Sequence, residues 1–490
     1  MGSVSLPHPS LSPVKSISSQ ITSTEVVVIG AGLAGLAAAV RLAMFGKKVI
    51  LLEKHYVVGG LNSFYARKGR KFDVGLHALT NYPSPSSGKS SPLLKLCRQL
   101  RIPIDELKLL PQSHSRITFG EQSLRFNNDF QYFLSQVEEA FPSSIDAFLK
   151  LLKMMEQFPA YSVDAEELST RSILRDSGID PLLREMLLCP TCYYGSARPD
   201  DIDFPTFIML FDAIFKQGLS RPEDGIRAIL NPLTAKLKEL GVDRRMNSAA
   251  RSIQTKGDKA KEVILESGET IKAEKIISTC GIRETESLLQ ENCIEPDEAQ
   301  TGQFSIIESI RVFKGHPKDL SWDETVIFFN RSNRFVYDCP KGLVDLESGV
   351  ICMPDNYGTN HQTEESKLRV THPANFHRWS QLSEAQYLKE KNYWEKTMLD
   401  NALSYLPGGL EKRELLHQRT ELLDTFTPKT IKRFTSHING TLYGSPTKKR
   451  DGSTKYKNLY LAGTDQGYVG IVGAMLGGIA VANNQILRAG

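Results

Sequence analysis

Val26-Val27-Val28-Ile29-Gly30-Ala31-Gly32-Leu33-Ala34-Gly35 joins an apolar strand to an alanine-rich helix through a glycine turn. The three glycines differ in what they permit. The first makes the tight turn, the second lets backbone approach a pyrophosphate, and the third lets helix and strand pack closely. The start of the helix adds unpaired N–H groups that face the anion. The helix is expected to run to Phe45 with Gly46 as its stop, and a second strand, Val49-Ile50-Leu51-Leu52, ends at Glu53. An acid roughly 20 residues beyond the turn accepts a ribose hydroxyl. Strand, turn, helix, strand and acid occur in the required order, so the fold class expected is α/β with a Rossmann-type dinucleotide-binding domain.

Beyond Glu53, Gly59-Gly60 follows a short loop, then Leu61, Asn62-Ser63 and Phe72-Asp73-Val74-Gly75-Leu76-His77. Far downstream, Asn458-Leu459-Tyr460-Leu461-Ala462-Gly463-Thr464-Asp465 precedes Gly467, Gly470-Ile471-Val472-Gly473-Ala474 and a helix through Gly477-Gly478. Just before it stand Thr427-Pro428-Lys429-Thr430, Arg433-Phe434-Thr435 and Gly440-Thr441-Leu442-Tyr443-Gly444. These motifs resemble the amine-oxidase-like flavoprotein superfamily, and within it the phytoene desaturase, carotenoid isomerase and retinol saturase branch. With Arg221-Pro222-Glu223-Asp224-Gly225 and the amphipathic stretch to Gly241, the likeness spans about residues 25 to 490.

The resemblance implies FAD as cofactor, held by Gly30, Gly32, Gly35, Glu53, Lys54, Gly59, Gly60, Leu61, Ala250, Gly463, Asp465, Gly470 and Val472. Many relatives carry an arginine where Leu61 stands, and Gly-Asp where Thr464 intervenes before Asp465. Asp465 is expected to reach the ribityl or phosphate region, and the start of the last helix to face the flavin. The implied activity is redox chemistry at carbon–carbon bonds of a long isoprenoid, foremost desaturation of a carotenoid precursor, with saturation and isomerisation as alternatives. His77 is the candidate catalytic residue, with Tyr443 and Tyr468 beside flavin-side motifs. No metal is implied, and the sequence does not disclose the electron acceptor.

The expected organisation alternates. Residues 25–91, 225–290 and 425–490 form a discontinuous FAD-binding domain, and 92–224 and 291–424 form an inserted α+β substrate-binding domain. Residues 1–24, rich in serine and proline and free of acids, are expected to be a disordered tail. They lack a signal-peptide core, and Leu6 occupies the position where myristoylation needs Ser or Thr. The missing acids keep plastid import open, although the segment has no arginine. Within the inserts, Phe130 to Ala140, Ile145 to Phe158 and Glu384 to Tyr405 have helical patterns, while Ser305 to Phe313 and Thr325 to Phe329 have strand patterns. Lys261 to Ile277 is expected to form a hairpin turning at Ser267-Gly268-Glu269.

With 490 residues, the chain exceeds what one core usually serves. No run of 18 apolar residues occurs, so no transmembrane helix is expected. A net charge of +4 without basic-aromatic motifs disfavours nucleic acid. Seven scattered cysteines are no disulfide framework, which suggests an intracellular chain. Cys189-Pro190-Thr191-Cys192 has redox spacing, with packing, a dithiol role and a metal role as its readings. Phe204 to Phe215 is either a core helix or a lipid-dipping wall. The cations Lys448, Lys449, Arg450, Lys455 and Lys457 form either a solvated loop or a lipid-headgroup contact, which leaves peripheral membrane association open.

Two other classes share this scaffold. An amine oxidase would surround its flavin with aromatic residues, and none of the three tryptophans lies near the closing motif. An isoprenoid-binding escort, like the prenylated-GTPase dissociation inhibitors, would not need the intact turn and Glu53.

Overall fold

Parallel pairing around Ile21–Ile29 organises the first half of the molecule. The computed structural model describes residues 21–84, 91–289, 301–358 and 363–488. Val49–Leu52 lies on one side of Ile21–Ile29 and Thr270–Ser278 on the other, both parallel to it. Asp243–Arg245 extends the sheet beyond Val49–Leu52, and Leu459–Leu461 pairs in parallel with the end of Thr270–Ser278. The hairpin strands Lys259–Leu265 and Ala250–Lys256 complete the sheet. The chain therefore reverses direction of travel across the sheet at its first strand, which is where α/β sheets bind ligands at the carboxyl ends of their strands.

Most of the expected disordered tail lies outside the described residues. Its last four residues do not belong to a tail: Ile21, Thr22, Ser23 and Thr24 pair with Thr270, Ile271, Lys272 and Ala273. Three polar side chains in these four conceal a strand whose hydrogen-bond partners come from far along the chain. The dinucleotide helix, Leu33–Ala43, ends two residues before Phe45, and Gly46 takes φ +77° just beyond it. Gly470–Val481 crosses this helix so closely that a Cβ on Gly478 would lie 2.1 Å from the Ala34 carbonyl oxygen. Arg227–Glu239 packs beside them, sharing one core through Leu36, Val40, Leu230, Leu233 and Met475. Pro92–Leu100 joins the same core through Leu93, Leu96 and Leu100.

Gly470–Leu487 is long and apolar enough to cross a membrane, with a mean hydropathy of 1.4, because Asn and Gln interrupt it without adding charge. Half of that stretch is nevertheless buried inside the protein.

The second sheet runs Thr420–Phe426, Ser305–Lys314, Glu365–Ala374, Ser348–Cys352, Val326–Asn330, Ser115–Phe119 and Gln122–Phe126. Only the Val326–Asn330 and Ser115–Phe119 pair is parallel. Strand alternation divides its side chains: Ile306, Val326 and Phe328 face one helical layer, while Ile307, Phe313, Ile327 and Phe329 face the other. The first layer holds Phe130–Ala140, Ile145–Gln157, Pro181–Gly195 and Phe204–Phe211. The second is Glu384–Leu403 with Trp322 and Trp379.

Of the two readings of Phe204 to Phe215, the core helix is the one adopted. Phe204, Phe207, Phe211 and Phe215 are all at most 1% exposed. Phe211 packs against Phe207, Phe215, Phe130 and Phe148 with ring centroids 5.0 to 6.3 Å apart. Truncating Phe211 to alanine should cost about 3–5 kcal/mol, read as a lowered denaturation midpoint. A change below about 1 kcal/mol would contradict this packing.

The basic stretch before the last strand is not one solvent-facing patch. Lys448 turns its ammonium inward, its side chain 9% exposed, and donates to the Tyr443 carbonyl at 2.6 Å, with Asp465 Oδ1 3.3 Å away. Arg450 is buried against Asp203 at 2.7 Å and also donates to the Ala160 carbonyl. Lys457 pairs with Asp258 at the surface.

Candidate active site

A cavity of about 910 Å³ opens at the carboxyl end of the first sheet and continues between the two sheets. Its volume is at the upper end of the range for small-molecule sites. The glycine turn forms one wall. Gly30 N donates to the Leu52 carbonyl, and Gly59 N donates to the Ala31 carbonyl, each at 2.8 Å, so the two glycine motifs are tied together. Glu53 Oε2 accepts from Ala31 N at 2.8 Å, and Oε1 accepts from His55 N at 2.9 Å. This fixes the acid at the mouth of the turn.

The would-be Cβ atoms separate two uses of glycine. At Gly35 a Cβ would lie 1.9 Å from the Gly30 carbonyl oxygen, so helix and strand need the bare backbone. At Gly32 and Gly470, each at the start of a helix, a Cβ would meet nothing within 4 Å beyond its own neighbours along the chain, and both residues line the cavity. The space cleared there suits a group that must touch helix N-termini, as a phosphate or an anionic ring edge does. The residues present therefore fit a flavin dinucleotide.

Gly30, Gly32, Glu53, Lys54, Gly59, Gly60, Leu61, Ala250, Gly463 and Gly470 line this one cavity, although they come from three distant stretches of chain. Lys54 Nζ also meets Ser436 Oγ across it. Gly35, Asp465 and Val472 do not line it. Gly35 and Val472 are packing positions. Asp465 turns its carboxylate inward, where Oδ2 accepts from Ile282 N at 2.7 Å and Oδ1 accepts from Ser445 N at 2.9 Å beside Lys448. Thr464, the residue that interrupts the Gly-Asp pair, lines the cavity instead. Cys189 and Cys192 are wholly buried in one helix, and burial pushes both thiols up, away from reactivity.

The far wall is built by the second sheet. Glu308 and Thr371 are direct cross-strand partners, and Arg369 lies two residues from Thr371 on the same face. All three are at most 3% exposed. Glu308 pairs with Arg369, whose other donors reach the Val74 carbonyl at 2.6 Å and the Leu76 carbonyl at 2.8 Å. Arg221 pairs with Asp73 and also donates to the Leu76 carbonyl at 2.6 Å. The buried Arg369 and the partly buried Arg221 thus hold the segment that carries His77 onto the cavity wall. Burial would raise the Glu308 carboxyl, but Arg369, with His77 assisting, outweighs it and holds the group at about 2. Burial pushes His77 below the ordinary imidazole range, with Glu308 opposing the shift.

Sequence reasoning singled out His77 but missed Glu308, Arg369 and Thr371. The available signal was a charge set inside each of two strand-like apolar runs, Ile306-Ile307-Glu308-Ser309-Ile310 and Leu368-Arg369-Val370. Tyr443 lines the cavity and Tyr468 does not. The helix Pro428–Thr435, started by Pro428 at its first position, forms part of the rim through Thr430, Ile431 and Phe434.

Comparison with known proteins agrees with this architecture. The chain is 23% identical over 463 residues to the chloroplastic prolycopene isomerase of Daucus carota, covering 86% of this chain and 71% of that one. It is 22% identical over 536 residues to the all-trans-retinol 13,14-reductase of Danio rerio, covering 93% and 84%. Among solved structures, putrescine oxidase bound to putrescine superposes with a TM-score of 0.61 at 15% identity, covering 96% of this chain and all of that one. An oxidoreductase from Methanosarcina mazei gives 0.62 at 16% identity, covering 94% and 100%. These two likenesses show the fold. Residues 33–485 match the flavin-containing amine oxidoreductases, and the chain belongs to that family of FAD-dependent oxidoreductases.

Proposed function

We propose that this chain oxidises or reduces carbon–carbon bonds of a long apolar isoprenoid, most nearly as a desaturase of phytoene-type carotenoid precursors. The observation that carries the reading is the chemistry of the chamber between the sheets. Ile306, Phe328, Val350, Ile431 and Leu442 supply apolar walls. Of the carboxylates on its lining, Glu308 is matched with Arg369 and Asp424 with Arg67, while Glu53 and Glu284 accept from the backbone amides of Ala31, His55 and Ile438. Such walls exclude water and align a chain by shape, which suits chemistry that needs positioning more than hydrogen bonds. FAD, when bound, supplies a two-electron acceptor or donor of hydride. The chain's part is to hold it at the two glycine-led helix starts and to keep the chamber dry.

Two relatives named for prolycopene and all-trans-retinol support an isoprenoid substrate. They also favour isomerisation or saturation as the second reading.

The test is turnover of phytoene, diapophytoene and retinol by the FAD-loaded protein, under oxidising and reducing conditions, with products analysed by mass. Loss of hydrogen under oxidising conditions is the expected result. Gain of hydrogen, or a new isomer of unchanged mass formed only with reduced flavin, would move the assignment to saturase or isomerase. Inertness towards all three, with peroxide released on adding amines, would overturn the isoprenoid reading.

A further inference from the structure

His77 lines the cavity between the sheets beside Glu308 and Thr371, and the arrangement around its ring is specific. Its Nε2 edge faces the second sheet, 3.3 Å from Thr371 Oγ1 and 3.4 Å from Glu308 Oε1. Among the described residues nothing hydrogen-bonds Nδ1. The side chain keeps 21% of its surface exposed, and it lines the cavity. A carboxylate beside Nε2 repels a lone pair and attracts an N–H, so the hydrogen of the neutral ring belongs on Nε2 and the lone pair on Nδ1. Glu308 is itself fixed as the ionised partner by Arg369. Arg221 and Cys352 approach His77 from its backbone side. Arg221 donates to the His77 carbonyl at 3.3 Å, and the Cys352 thiol, kept protonated by burial, donates to the same oxygen.

From this geometry we infer that His77 Nδ1 is the proton acceptor of the cavity, with Glu308 as the positioning residue that sets the ring's tautomer and balances the imidazolium once it forms. The inference rests on the polyene reading given above. In a desaturation, one C–H electron pair leaves as hydride to the oxidised flavin. The neighbouring C–H bond breaks, its electrons become the new π bond, and its proton goes to Nδ1. In a saturation reduced flavin would supply the hydride to one carbon, and the same imidazolium would return the proton to its neighbour. This use accounts for a buried charge pair that would otherwise only cost desolvation. It also accounts for the four arginine bonds that hold the backbone from Val74 to His77. The same pattern, an acid that orients an imidazole whose other nitrogen does chemistry, recurs across unrelated enzymes.

The deciding measurement needs no turnover. In protein labelled with ¹⁵N-histidine, with the His77 signals assigned by their loss in His77→Asn, the wild-type ring should be neutral at pH 7 with hydrogen on Nε2. In Glu308→Gln the preference for Nε2–H should weaken. Hydrogen on Nδ1 in the wild type, or a ring already protonated at pH 7, overturns the inference whatever the variants do. With a polyene that turns over, His77→Asn should slow anaerobic flavin reduction by about 10²–10⁴-fold while FAD content and flavin spectrum stay as in the wild type. The wild-type rate should fall as pH drops through the lowered pKa of His77, and this limb should be missing in the variant. An unchanged rate in His77→Asn also overturns the inference. If wild-type protein turns over none of the three polyenes, the functional reading fails, while the tautomer measurement still decides the role of Glu308.

Discussion

Gly32→Val should yield a protein that folds like the wild type yet holds no FAD, whereas Gly35→Ala, a smaller change three residues away, should damage the fold itself. Gly32 has φ −68° and ψ 174°, which any L-residue adopts, and its would-be Cβ meets nothing within 4 Å beyond its own neighbours along the chain. Replacing glycine at a helix N-cap by an apolar residue costs the fold only about 1 kcal/mol. The added side chain instead occupies the cavity where backbone must approach a pyrophosphate. A loss of about 3 kcal/mol there is roughly a hundredfold in Kd. At Gly35 the Cβ would stand 1.9 Å from the Gly30 carbonyl oxygen, so the strand and helix must separate, at about 3 kcal/mol or more. Flavin absorbance per protein and the thermal midpoint, measured on both variants, separate the two effects. Wild-type flavin content in Gly32→Val would mean that the cofactor does not lie against this turn.

The second large effect is expected at Arg369. Arg369→Met leaves Glu308 as an uncompensated buried charge, strips the Val74 carbonyl of its arginine donor and leaves the Leu76 carbonyl with Arg221 alone, so a loss of about 3–5 kcal/mol is expected. Removing the carboxylate as well, in Glu308→Leu/Arg369→Met, should recover part of that loss, and the double-mutant cycle measures the coupling. A double variant less stable than Arg369→Met would contradict the pairing.

The pair also predicts a pH dependence. The Glu308 carboxyl stands at about 2 in the folded protein against 4.5 for the unperturbed group. Its contribution is therefore complete above the unfolded value and disappears as pH falls from about 4.5 towards 2, a change of roughly 3 kcal/mol. In the double variant this part of the acid limb should be absent.

The parts of this fold that were legible in the sequence are those governed by local rules. The first strand, the glycine turn, its helix and the acid at residue 53 follow from backbone requirements confined to a few residues. The hairpin was legible because Gly268, at φ +90°, marks its turn between two alternating runs. What stayed hidden depends on partners distant in the chain. Lys448 and Arg450 look like surface cations until Asp465 and Asp203 are brought to them. Ile21–Thr24 becomes strand only because Thr270–Ala273 lies alongside. The direction in which Asp465 points is decided by the amides of Ile282 and Ser445, which no spacing rule reveals. The apolar count of Phe204 to Phe215 demanded cover but could not say whether protein or lipid provides it. Glu308, Arg369 and Thr371 converge through strand register, a property of the assembled sheet.

The neighbour of Ile276–Ser278 on its open side is Leu459–Leu461, roughly 180 residues later in the chain. A ribosome working at about 5–20 residues per second therefore leaves that edge bare for roughly ten to forty seconds after the first strands emerge. An unpaired apolar edge is a template for stray association. Synthesis of this protein thus has a built-in waiting period, and hosts that translate quickly, or whose chaperones are not saturated, should give the higher soluble yield.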